Sequence, residues 1–168
     1  MRLMAVGTVV LLATPVFSQP TLQRVIVVEP TLVTLVEDGR TRSPTFRDLI
    51  DRIEATEWVV FLQPGWCPEP ATQGCLLHVV GQFQGRRYMR LLVNPRGRHR
   101  DQVIVTVAHE LQHAVEVATS AGVTDTESMI ELQRRIASSR VRLPNAEVYE
   151  TAAARQVEHA VFVELRKH

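Results

Sequence analysis

The sequence predicts an α+β protein, a small and mainly antiparallel sheet followed by helices. Short apolar runs with strand spacing lie almost wholly before residue 94. From Asp101 onward apolar residues recur at helical spacing, and only one clear helical stretch falls earlier. A length of 168 residues, with 45% hydrophobic and 22% charged side chains, suits one globular domain and excludes a disordered or collagen-like chain.

The first element is a targeting segment. Met1–Ser18 has a positive end at Arg2, an apolar run from Ala5 to Ala13, and Val16 and Ser18 at the −3 and −1 positions of a small-residue cleavage site. The run is shorter than the about 20 apolar residues a bilayer span needs, and no later stretch is long and apolar enough to be one. The expectation is a secretory signal at 1–18 and a single domain at 19–168, secreted or periplasmic, with no membrane span after cleavage. Basic and acidic residues are balanced at 19 and 18, which disfavours a nucleic-acid partner.

Arg24–Glu29 reads as a strand ended by Pro30. Ser43 and Pro44 are the N-cap and first position of a helix carrying Phe46, Leu49, Ile50 and Ile53. Trp58–Leu62 is a second strand. Leu76–Phe83 and Arg87–Val93 read as two strands joined at Gln84-Gly85, a hairpin signal. Between them and the second strand, Cys67 and Cys75 enclose a short Pro- and Gly-rich loop; in an oxidising compartment this pair is expected to form a disulfide. Asp101 to about Ser120 is a helix stopped by Gly122. Thr124 and Glu127 suggest a capping box for another, running to about Ser139. Pro144-Asn145 precedes a last helix, about Ala146 to Arg166. Six arginines between Arg86 and Arg100 read as a solvated hairpin and loop rather than a binding rim.

The chemistry concentrates at His109-Glu110-Leu111-Gln112-His113. Histidines four apart on a helix differ by about 40° and one turn, so both imidazoles can reach one ion. Glu110 lies about 100° round, placed to take a proton from a metal-activated water. The same helix has an apolar back made by Val103, Val107, Leu111, Ala114 and Ala118. A catalytic zinc site needs a third protein ligand. Glu150 is the choice on periodicity, because it opens a stripe continued by Ala153, Ala154, Val157 and Val161, and a carboxylate facing a core needs a cation. Glu116, Glu147, His159 and His78 are the other candidates. Glu116 sits on the ligand helix itself and is assigned a supporting role beside the histidines. A buried salt bridge from Glu150 to an arginine is the structural alternative.

His109-Glu110-Leu111-Gln112-His113, with Glu150-Thr151-Ala152-Ala153 downstream, resembles the zincin metallopeptidases, and in particular the gluzincin branch. The resemblance implies a zincin-like fold, Zn2+ held by His109, His113 and Glu150, and Glu110 as general base in the hydrolysis of a peptide or protein substrate. It further implies that the strand before the motif helix, Arg87–Val93, borders the cleft. A Tyr or His that steadies the oxyanion is also implied, with Tyr149, Tyr88 and His159 available. Many gluzincins carry an acidic residue four positions after the third ligand, where this chain has Ala154, so the support of one histidine is left unassigned. A zinc-binding module without turnover is the alternative function.

Overall fold

The computed structural model describes residues 23–69, 72–142 and 147–167. The signal-peptide expectation for 1–18 and the turn at Pro144-Asn145 lie outside the described residues.

The described chain is mixed α and β, with twelve elements in order β1 (Val25–Val27), α1 (Pro30–Arg42), α2 (Pro44–Glu54), β2 (Val59–Pro64), β3 (Gly74–Leu76), β4 (Gly81–Phe83), β5 (Arg86–Val93), α3 (Arg100–Ala118), α4 (Thr126–Ile136), β6 (Ser139–Arg142), β7 (Glu147–Glu150) and α5 (Ala152–Leu165). Helix α1 is absent from the sequence reading, which stops at Pro30. That proline is its first residue, and the Glu29 carboxylate accepts hydrogen bonds from the backbone N–H of Thr31 and Leu32 at 3.0 and 3.2 Å. Its β-branched residues hide the helical stripe Leu32, Leu35, Val36 and Gly39, which is buried. A Cβ at Gly39 would lie 2.9 Å from Ile104 Cγ2, so the glycine lets α1 approach α3 closely.

The main sheet has the order β1-β2-β5-β3, with β4 also paired to β5. It is mixed rather than mainly antiparallel: β1 runs parallel to β2, and β2 parallel to β5. Helices α1 and α2 form the crossover that joins the parallel pair β1 and β2, while the elements between the parallel strands β2 and β5 are β3 and β4, with no helix among the described residues to mark a crossover. Leu76–Phe83 is not one strand. Val79 N–H donates to Leu77 O at 2.7 Å, a tight turn that separates β3 from β4. Both pair antiparallel with β5. The Gln84-Gly85 hairpin forms as read, with φ of 48° and 75° at the two turn residues.

Ser43 caps α2 as expected, its Oγ accepting from Phe46 N–H at 3.0 Å. The box that opens α4 uses Asp125 and Ser128 in place of Thr124 and Glu127, one residue on. The largest departure is at the C-terminal end. Strands β6 and β7 pair antiparallel, with Val141 opposite Val148 and Ser139 opposite Glu150. Helix α5 begins only after Thr151, whose Oγ1 accepts from Ala154 N–H.

The core lies where α3 packs between the sheet and helices α2 and α5. Val60, Leu62, Met89, Leu91 and Val93 from one sheet face meet Val107, Leu111 and Ala114 of α3. Trp58 closes one end beneath the Arg87 guanidinium, 4.8 Å above its ring. Arg87 also donates to Val123 O, and Arg100 lies 3.6 Å from Asp38. These two arginines of the basic stretch therefore hold structure. Arg42 ties α1, α3 and α5 through Asp38, Asp101 and the Leu165 carbonyl.

Candidate metal centre

Helix α3 delivers its motif to a cavity of about 180 Å³. One wall is made by Cys67, Pro68, Glu69 and Thr72, with β3 and His78. The other is strand β7 with Gln133 of α4. His109, Glu110 and His113 form the floor. The front of α3 is less open than its polar pattern implies, with His113, Glu110 and Gln112 only 6%, 8% and 5% exposed. β7 and α5 cover it.

One ligand atom from each of His109, His113 and Glu150 lies within 4.8 Å of the others. Glu150 Oε2 is 3.5 Å from His109 Nε2, and its second oxygen, Oε1, is buried with no hydrogen-bond partner among the described residues. Among the described residues its ion-pair neighbour is His109 and not an arginine. An orphaned carboxylate oxygen beside two imidazoles fits a cation at the point where they converge. The periodicity that selected Glu150 is nevertheless corrected. The residue ends strand β7 and does not open the last helix. The reach of β7, rather than a helical stripe, turns its carboxylate toward α3.

Both imidazoles are oriented through Nδ1. His113 Nδ1 lies 3.2 Å from Glu116 Oε2. Glu116 Oε1 accepts from Thr151 Oγ1 at 2.8 Å and from Gln112 Nε2 at 3.3 Å. Burial works against the His113 imidazolium, but the Glu116 bond and the nearby carboxylates outweigh it and raise its pKa. His109 Nδ1 lies 3.0 Å from Glu158 Oε2. Sequence reasoning missed Glu158. It lies on α5, eight residues after Glu150 in the chain, and a half-exposed glutamate on a helix gives no signal until α5 is docked on α3.

Glu110 has its own holder. The Leu76 N–H of β3 donates to Glu110 Oε2 at 2.9 Å, and burial pushes its carboxyl pKa up. Gly74 permits this approach, since a Cβ there would lie 2.6 Å from Thr106 Cγ2 and 3.0 Å from Glu110 Cγ. Cys67 and Cys75 are joined by a disulfide, with Cα atoms 5.9 Å apart, which pins the cavity loop to β3 as expected.

The remaining candidates separate cleanly. Glu147 is bound by Tyr149, Arg134 and Arg142, which hold its pKa at about 2. His78 borders the cavity 5.2 Å from the Tyr149 ring, its pKa lowered by burial. His159 is exposed and Tyr88 packs edge-on against Phe61, so neither reaches the cavity. Of the three oxyanion candidates only Tyr149 borders it, and its hydroxyl is already engaged by Glu147 and Arg134.

No family model matches the chain, and no curated protein or solved structure matches it either. The centre is therefore read from its own geometry.

Strand β5 does not border the cleft. It pairs with β2 on one side and with β3 and β4 on the other, so it offers no free edge. The bordering strand is β3. Leu77 N–H donates to Arg90 O and Asn94 N–H to Gln73 O, so residues 73, 75 and 77 face β5. The backbone groups of Gly74 and Leu76 consequently face the cavity.

Proposed function

We propose that this protein is an exported zinc-dependent metallopeptidase of zincin-like, gluzincin-like type. His109, His113 and Glu150 would hold Zn2+, and Glu110 would act as the general base. The observation that carries the reading is the convergence of two imidazoles and a carboxylate with an unpartnered oxygen, beside a buried glutamate that is not one of the three. A purely structural metal site has no use for that fourth group.

Zinc bound there would polarise the scissile carbonyl and acidify a water molecule. Glu110, whose Oε2 is held by Leu76 N–H, would accept a proton from the attacking water at Oε1 and return it to the leaving amine as the carbonyl carbon takes the hydroxyl and the C–N bond breaks. The outward-facing backbone of Gly74 and the Leu76 carbonyl give an extended polypeptide an edge to pair with, the Leu76 N–H being taken by Glu110. The Cys67–Cys75 disulfide suits the oxidising compartment that a signal at 1–18 would supply.

Metal analysis of the purified protein should find about one zinc per chain. A peptide-library digest should give cleavage that a chelator abolishes. Glu110→Gln should retain zinc and fold while losing hydrolysis by at least about 10²-fold. A wild-type protein that binds zinc stoichiometrically but cleaves nothing would instead be a zinc-binding module. Full zinc retention in the His109→Ala/His113→Ala double variant would remove the metal centre altogether.

A further inference from the structure

The cavity holds a polar group that the proposed hydrolysis leaves unused. Gln133, on the inner face of α4, lines the cavity, is 1% exposed, and has its Nε2 buried with no hydrogen-bond partner among the described residues. An unpaired buried donor is costly and uncommon, so a ligand or an ordered water is expected to satisfy it. The polar neighbours are committed elsewhere. The Tyr149 hydroxyl donates to Glu147 and accepts from Arg134, and Glu147 also takes Arg142. The cavity is also lined by apolar groups, Pro68, Leu77, Val148 and the Cys67–Cys75 disulfide.

We propose that Gln133 is a specificity residue, whose Nε2 donates to an acceptor at the tip of a long, uncharged substrate side chain, glutamine in the first instance. This rests on the peptidase reading for the substrate being a polypeptide. The acceptor is a side-chain tip and not a backbone carbonyl, because the backbone is served at the β3 edge by Gly74 and the Leu76 carbonyl, across the cavity from α4. It is uncharged on two grounds. A carboxylate would enter a cavity already lined by Glu110, Glu147 and Glu150. A cation would meet a donor where it needs an acceptor. Apolar isosteres such as methionine fit the walls but leave Nε2 unpaired, and sites built around a hydrogen bond reject such analogues strongly.

The test compares glutamine with methionine at each position of a positional-scanning hexapeptide library. At one position flanking the cleaved bond the wild-type protein should favour glutamine by about tenfold or more in kcat/KM, and Gln133→Leu should bring that ratio to about one. No glutamine preference in the wild type, or an equal preference in Gln133→Leu, would overturn the proposal and leave Nε2 to an ordered water. The wild-type ratio reads the outcome even where the variant fails to fold. Titrating zinc-loaded Glu110→Gln with the glutamine and methionine peptides separates the two claims. Glutamine-selective binding with no wild-type cleavage would overturn the peptidase reading and leave Gln133 in its role. Cleavage by the wild type with equal binding of both peptides would overturn the role of Gln133 alone.

Discussion

Each imidazole of the motif is steadied on its far nitrogen by a carboxylate from a different place in the chain: Glu116 from the same helix for His113, and Glu158 from α5 for His109. Such partners set the tautomer and raise ligand basicity. Glu158→Gln should therefore weaken zinc binding by about 10-fold to 100-fold, read by competition with a chromophoric chelator, while the fold is kept. Glu150→Ala discriminates more sharply. It removes a carboxylate whose Oε1 is buried and unpaired, so zinc affinity should fall strongly while the melting temperature of the apo-protein stays level or rises. Destabilised apo-protein with unchanged zinc affinity would make Glu150 a structural residue.

Two short elements carry the walls of the cavity, and neither is held by a large apolar face. Strand β3 is three residues long, and the disulfide at Cys75 ties the 67–75 loop to it. Replacing both cysteines by serine should cost about 2–3 kcal/mol of stability in the chain-entropy model, measured by urea unfolding. The β6–β7 pair is fastened through Glu147, bound by Tyr149, Arg134 and Arg142. The folded pKa of Glu147 is depressed to about 2, led by the Tyr149 hydrogen bond. Its contribution is thus present above the unfolded glutamate value, about 4.3, and is lost as pH falls from there through about 2. Wild type should melt above Glu147→Gln at neutral pH, and the gap should close across that acid window.

At the scale of the molecule, α3 is both the core helix and the helix that carries two of the proposed metal ligands. Leu111, one residue from Glu110, is fully buried with Val107 and Ala114 on the face opposite the histidines. Leu111→Ala should cost about 2–5 kcal/mol, because the core loses a side chain and keeps a cavity. Metal and fold are coupled through the same helix. Because Glu150 comes from β7 and His109 is braced from α5, a bound zinc joins three elements that the unfolded chain does not bring together. Zinc at 100 times its Kd should raise stability by about 2.7 kcal/mol, and His113→Ala should abolish the shift in a thermal melt.

What could be read from the sequence alone was local. Two histidines four apart need only one helix to place them, so His109, His113 and the inward-facing Glu110 follow from the helical period. The Gln84-Gly85 turn, the Ser43-Pro44 helix start and the Cys67–Cys75 pairing are likewise set by neighbouring residues. The β1–β2 pairing was obscured because α1, the first part of its crossover, was hidden in a β-branched run, and the β2–β5 pairing because the elements between those strands are β3 and β4 and not a helix. The β6–β7 pairing was illegible because Val148 and Tyr149 suit either a helix stripe or a strand, and pairing with Arg140 and Val141 decides between them. Tertiary structure alone decided that Glu150 reaches the histidines from a strand end, that β3 and not β5 faces the cavity, and that Glu158 braces His109. Each of these joins residues far apart in the chain, and local propensity has no term for docking one element on another.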